Sequence, residues 1–399
     1  MAESIDAKSL AVLHASLRWQ SGYAEHKETL YIPLNVWREL ELMPPALVQA
    51  LAGQRAGAVV QMSFPAGSLV PGFRESEVKS LPLTSFAQGH QRPREGRFYP
   101  RHLLWGYFQI PLPFRSLAVN NGRFAADFNH PLAPYPLKLE LTVVEVQRKR
   151  ADTGGVCHDW LQILCDGPGM QARWSQRPTD FFADHPFARA DEGDDGEFYA
   201  KPRLVNHIDD QAEAIIRSLY ERLLPPGGRV LDLMSSWNSH LPESLPLAQV
   251  SGLGLNREEL NRNPRLTDYV VHDLNREPVL PFAENSFEAV ICTVSVEYLV
   301  RPLAVFAEVA RILKPGGLFI QTFSHRWFPP KVIRIWTEIM EWERPGLVLE
   351  YFLRSGFYEH LGTFSARGWP RPSWDRYYPL VPYADPVYAV WGQKKQNKS

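Results

Sequence analysis

Apolar and polar residues alternate through Leu137, Leu139, Leu141 and Val143, the period of a strand with one buried face. Shorter strand-like runs, broken by Gly and Pro, fill residues 13–19, 29–34, 58–64, 115–119 and 123–128, so the first part of the chain predicts a mainly β fold. One helix is predicted at 45–52, where Leu47, Val48 and Leu51 share a side and Gly53 closes it. Periodicity fades over 147–204, where Gly, Pro and the acidic group Asp191, Glu192, Asp194 and Asp195 read as a linker or a surface-wrapping arm. From Asn206 the pattern changes to a helix at 209–224, strands at 229–233, 249–255, 269–272 and 287–293, a helix at 302–313 and a strand at 317–323. Helices alternating with apolar strands predict a parallel α/β sheet covered on both faces.

The 399 residues, 45% of them hydrophobic, exceed one ordinary core and divide into 1–150, an arm at 151–204 and a second domain at 205–399. Lys plus Arg number 43 against 44 Asp plus Glu, a net charge of −1, which leaves no electrostatic footprint for nucleic acid or an anionic membrane. Three cysteines, Cys157, Cys165 and Cys292, lack CxxC spacing and argue against a disulfide framework or a Cys-rich zinc site. No apolar run reaches the ~18 residues of a membrane helix, and the N-terminus has no signal-peptide pattern, so a soluble, cytoplasmic chain is expected. Prolines are enriched around 90–115, 165–205 and 365–390, where thirteen of the 34 and four of the 12 tryptophans fall, and these stretches are expected to wrap the domains.

Strand 229–233 follows Pro225, Pro226, Gly227 and Gly228, and the turn after such a strand is where α/β sheets bind nucleotides. Asp273 closes a later strand; Leu280, Pro281 and Phe282, then Asn285, Ser286 and Phe287, lead into the next; Tyr298, Leu299 and the run from Arg311 to Gly317 follow. This ordered set resembles the class I S-adenosylmethionine (SAM) methyltransferases of small-molecule, type 11 kind. The blocks LDLMSSW, SHLP and GLGLNREEL, between Leu231 and Leu260, resemble a variant subfamily. The resemblance implies a Rossmann-like fold with SAM as cofactor. In the family, glycines follow the acid of the first strand, and an acid ending the second strand holds the ribose. Here the turn from Asp232 to His240 has no glycine, and Gly254 stands at the ribose position.

Two readings stay open: a rebuilt loop, in which Ser235, Ser236, Ser239, Trp237 and His240 replace backbone contacts and Asn256 serves the ribose, or a domain that has lost SAM and persists as a scaffold. On the first, the cofactor residues are Asp232, Leu233, Met234, Ser235, Ser236, Trp237, His240, Gly254, Leu255, Asn256, Asp273, Leu274, Asn275, Val294 and Ser295, with Asp273 the adenine-amine partner. Methyl transfer is chiefly positioning and desolvation, and a general base is needed only for a protonated nucleophile. Glu297, Tyr298 and His325, after the fourth and fifth strands, are catalytic candidates. So are Tyr199 and His207 on the arm, which the resemblance makes a lid, and Arg203 there is a candidate for substrate binding. Asp209 reads as a helix cap, Cys292 as a small buried hydrophobe, and the C-terminal aromatics Trp327, Trp336, Trp342, Trp369, Trp374, Tyr377 and Tyr378 as packing between sheet and arm or as the lining of an apolar acceptor cavity.

The block from Asp127 to Ala133 (DFNHPLA), before strand 137–146, resembles the end of the SlyD-type FKBP prolyl isomerases; stretches at 42–47, 50–57 and 96–100 support it. The resemblance implies an FKBP-like α+β domain over residues 10–147. Pro45 replaces a family glycine, the first-strand Tyr and Asp are absent, and the interval 67–96 is too short for a full inserted chaperone domain. A binding or dimerisation module is therefore expected rather than an isomerase. Together these features predict a SAM-dependent methyltransferase acting on a small-molecule acceptor, a thiol or another soft nucleophile, with the FKBP-like half completing the acceptor site or a homodimer. The alternatives are a folding or modifying factor that presents a polypeptide to the methyltransferase half, and a non-catalytic scaffold.

Overall fold

The computed structural model describes residues 3–6, 8–35, 44–86, 92–106, 112–149 and 158–396. Strands β1 (Ser9–Gln20) and β2 (Ala24–Asn35), helix α1 (Pro45–Leu51) and β3 (Val59–Phe64) come first. Four short strands follow, β4 (Val78–Pro82), β5 (Phe98–Pro100), β6 (Pro113–Asn120) and β7 (Arg123–Asp127), and then β8 (Leu137–Arg148). The arm carries α2 (Trp160–Cys165) and α3 (Asp195–Phe198). The rest comprises α4 (Asp210–Leu223), β9 (Arg229–Leu233), β10 (Gln249–Gly254), α5 (Arg257–Arg262), β11 (Asp268–Val271), β12 (Phe287–Thr293), α6 (Pro302–Ile312), β13 (Leu313–Phe323), α7 (Arg334–Glu338), α8 (Arg344–Ser355), β14 (Tyr358–Arg367) and β15 (Val387–Lys394).

Strands β11, β10, β9, β12 and β13 lie side by side in that order and all pair in parallel. The order reverses between β9 and β12, which is where doubly wound sheets open a ligand crevice. Antiparallel β15 is inserted between β13 and β14. The apolar runs of these strands supply both faces of the sheet. Leu231, Leu233, Phe319 and Phe323 pack with Phe306, Trp336 and Phe352 on one side, while Val230, Ile291 and Ile320 meet Ile216, Leu219 and Tyr220 of α4 on the other.

Beyond β14 the sheet does not stop. Strand β2 pairs with it in parallel, from Leu361 opposite Ala24 to Arg367 opposite Leu30, and β1, β8 and β3 extend it to eleven strands. The seam is polar. His26, 2% exposed and stacked 3.7 Å from Trp19, meets the Thr363 hydroxyl at 2.8 Å and that of Ser21 at 2.9 Å, and burial pushes its imidazole down to about 3. Buried Glu28 accepts from Gln171 Nε2 at 2.8 Å and from the Ser365 hydroxyl.

Strands β4 to β7 form a separate four-stranded sheet with its own core of Phe86, Tyr99, Leu104, Phe114, Phe124 and Phe128. The strands of this sheet run from Val78 to Asp127, past the interval 67–96. The arm packs as more than a surface strap: Trp160, Leu164 and Cys165 enter the core of the N-terminal strands, and Met170 and Phe181 enter that of the α/β sheet. Cys157 lies outside the described residues.

Candidate active site

A concave cleft lies at the carboxyl ends of β9, β10, β11 and β12, where open α/β sheets place their ligands. The turn after β9 shapes it. Asp232 is 2% exposed; burial pushes its acid up to about 6, against the hydroxyl of Ser235, which donates to it at 2.5 Å, and that of Ser239. Ser235 N–H donates to the Leu253 carbonyl at 2.7 Å, docking the turn on the end of β10. Gly254 follows from that docking, because a Cβ there would overlap the Ser235 carbonyl oxygen. Main chain of the turn thus passes where an acidic side chain would start.

Three non-glycine residues of the cleft wall hold left-handed backbone, Met234 at φ 58°, His240 at φ 54° and Val294 at φ 44°. The conformation is costly above all for β-branched Val294, and such strain collects at functional sites. His240 Nδ1 lies 3.5 Å from Glu213 of α4. Burial works against the charge on Glu213, yet hydrogen bonds from His240 and Asn238 hold its acid down to about 2. Asp273 accepts from Asn275 N–H at 2.9 Å and Arg276 N–H at 3.2 Å through Oδ1; among the described residues no hydrogen bond engages Oδ2. Asn275 donates to Asp195 and to the Tyr298 carbonyl, both at 2.9 Å, tying arm to wall.

The arm closes over this cleft. Trp237 Nε1 donates to the Val205 carbonyl at 3.2 Å, Asn238 to Asn206 at 3.1 Å, and Glu259 accepts from Arg203 N–H at 2.6 Å. Arg203 spreads over the rings of Phe198, Tyr199 and Phe328 at 4.8, 5.3 and 5.1 Å. Tyr199 and His207 also line the cleft, and burial lowers His207 while raising Tyr199. Asp209 caps α4, accepting from Ala212 N–H at 2.9 Å.

Beside the cleft is a recess bounded by His207, Ile208, Val294, Tyr298, His325, Arg326, Trp327, Phe328 and Pro329. His325 opens here and not into the cleft, because it follows β13, one strand farther along; its Nε2 is 3.8 Å from Asp385, and burial lowers its imidazole. The Tyr298 hydroxyl accepts from Phe328 N–H at 2.8 Å.

Most of the residues singled out in the sequence meet at the cleft: Asp232, Met234, Ser235, Ser236, Trp237, His240, Gly254, Leu255, Asn256, Asp273, Leu274, Asn275, Val294, Ser295, Tyr298, Tyr199, Arg203 and His207. Three roles need correction. Leu233 points into the core, fully buried. Glu297 is 0% exposed and lines neither cleft nor recess, since the turn at the end of β12 directs it inward. Asn256 lines the cleft, but its amide is committed. Oδ1 caps α5 through Glu258 and Glu259 N–H, and Nδ2 donates to the Tyr199 and Ala200 carbonyls at 2.9 and 3.0 Å, so it latches the arm instead of serving a ribose. Asp195, Asn206, Glu213, Glu259, Phe328 and Asp385 escaped the sequence reading. Glu259 was legible as the third residue of a helix capped by Asn256.

A family described as a methyltransferase domain matches residues 241–321. The chain is similar to a demethylmenaquinone methyltransferase of Renibacterium salmoninarum, 30% identical over 36% of this chain and 61% of that protein. It is similar also to a ubiquinone/menaquinone biosynthesis C-methyltransferase of Desulfotalea psychrophila, 38% identical over 23% of this chain and 40% of that protein. The chain thus spans less than two thirds of the curated relatives it matches. A SAM-dependent methyltransferase of Mesorhizobium loti is similar at 18% identity and a TM-score of 0.31, over 44% of this chain and 96% of that one. The strand order and the matched family agree: residues 241–321, within a Rossmann-like doubly wound sheet, match a methyltransferase domain.

Proposed function

We propose that the chain transfers the methyl group of SAM, held in the cleft, to a small acceptor lying in the adjoining recess. The observation that carries this reading is the shared wall: His207, Val294, Tyr298 and Phe328 border both spaces, so donor and acceptor meet across a few side chains beneath the arm. Bound SAM supplies a methyl group on a sulfonium sulfur. The cleft fits that cation with the aromatic faces of Tyr199, Tyr298 and Phe328, fits the adenine amine with Asp273 Oδ2, and fits the methionine end with Asp232 and the strained turn to His240. Gly254 leaves the ribose to main-chain groups of the turn. A tightly hydrogen-bonded, strained turn favours a rebuilt site over a decayed one.

His207 and His325 border the recess, and burial keeps both below the ordinary histidine range. Both are neutral at pH 7 and suited to take a proton from an acceptor. The aromatic walls Tyr298, Trp327 and Phe328 suit a planar acceptor, and the quinone-pathway names of two relatives favour a soft carbon nucleophile on such a ring over a thiol. The N-terminal half we read as an FKBP-like module, on the block from Asp127 to Ala133 that leads from β7 into β8; its role here is to extend the sheet past β14.

Calorimetry of the full chain with SAM and with S-adenosylhomocysteine tests the reading. Saturable binding is expected, roughly ten- to a hundredfold weaker in Asp273→Asn, as befits a lost hydrogen bond to a charged group. If neither molecule binds at high micromolar concentration, the domain is a scaffold.

A further inference from the structure

Among the described residues, Trp374, Tyr378, Leu380, Val381 and Tyr383 are all exposed, Leu380 at 89% and Trp374 at 76%. All five stand on the excursion between β14 and β15. Its base is closed by Ala384 N–H donating to the Trp369 carbonyl and Arg371 N–H to that of Pro382, each at 2.8 Å. Beneath it, buried Arg371 bridges Asp385 at 2.7 Å and Asp209 at 3.3 Å, and the two aspartates each accept the other's backbone N–H. The apolar side chains are therefore held outward on a fixed base. From Tyr377 to Ala384 the sequence YYPLVPYA contains no charge.

The excursion adjoins the recess. Arg326, on the recess wall, lies 5.0 Å from the Tyr377 ring and pairs with Asp385 at 2.8 Å. Trp374 Nε1 donates to Asp210 at 2.8 Å, two residues past Ile208 of the recess. Single exposed apolar residues are ordinary, but a fixed cluster marks an interaction surface. Trp and Tyr around a tip of Leu and Val, with Arg376 at the flank, is the composition of segments that settle at the headgroup level of a bilayer.

We propose that the loop at 374–383 docks the protein on a lipid surface, from which an amphiphilic acceptor enters the recess. The acceptor clause rests on the methyltransferase reading; the docking does not. Among the described residues no helix is long and apolar enough to cross a membrane, so this attachment is peripheral. The sequence expectation of no membrane partner rests on the lack of a spanning run or a basic footprint, and a short loop whose tip from Tyr377 to Ala384 carries no charge leaves neither.

Co-sedimentation of the full chain with phosphatidylcholine vesicles, beside a Leu380→Asp/Val381→Asp variant, tests the proposal. The native chain should pellet with the vesicles and the variant should partition roughly a hundredfold less, the loss of two buried aliphatic side chains. Calorimetry with SAM should be the same for both and shows that the variant is folded. A native chain left in the supernatant, a variant that pellets equally, or a dimer dispersed by the two substitutions overturns the docking. Vesicle binding without any SAM binding sinks the methyltransferase reading and leaves the docking intact.

Discussion

Glu297→Gln exchanges one oxygen for nitrogen at a carboxylate whose oxygens both lack a hydrogen-bond partner among the described residues. Burial pushes this acid from 4.5 up to about 8. Because the folded-state value lies above the unfolded one, its contribution to stability is fully present below pH 4.5 and is lost as pH rises through about 8. The slope is about 1.4 kcal/mol per pH unit, which amounts to roughly 3 kcal/mol by pH 7 and 5 kcal/mol above pH 8. The glutamine variant has no such slope. Urea unfolding of both proteins between pH 5 and 9 should give curves that nearly coincide at pH 5 and diverge upward, with the variant the more stable. A constant difference across that range would refute the account of a buried, unpartnered acid. Methyl transfer should survive the substitution, and its loss in a folded variant would return Glu297 to the chemistry.

Gly254→Asp restores the acid that the family pattern asks for, yet it should destabilise the fold by about 1–3 kcal/mol and weaken SAM binding, because its Cβ meets the Ser235 carbonyl; melting curves and calorimetry check both. Asn256→Ala removes a helix cap worth about 1 kcal/mol and both bonds to the arm, so limited proteolysis should cut faster near residues 199–206. His325→Ala should lower kcat about a hundredfold if its imidazole takes the acceptor's proton. In the native enzyme kcat/KM should fall on the acid side only below the usual histidine range of about 6.5, since burial lowers both His207 and His325 and the neutral form is the active one.

Period and apolar runs were enough to place β9 and β12 with the bounds observed, because parallel strands buried on both faces leave an unbroken signal. The cleft was legible for a similar reason: its residues sit at strand ends, and strand ends are fixed by sequence. What failed was direction and partnership. Whether Glu297 points into the cleft or into the core depends on one turn of backbone, and whether Asn256 is free depends on an arm more than fifty residues upstream. Strands β14 and β15 and helix α8 were missed because their aromatic and proline-rich surroundings hide the period. The pairing of β2 with β14 joins segments that no local pattern connects.

That pairing also sets a schedule. His26 and Thr363, which meet across it, are 337 residues apart, and at roughly 5–20 residues per second a ribosome needs about 20–70 s between making one and the other. Once β8 is made, and for the rest of that interval, the N-terminal strands can stand as a sheet with β2 as an open edge, a template for pairing with the wrong chain. His26 and Glu28 along that edge keep it polar while it waits, so the seam doubles as a safeguard during synthesis.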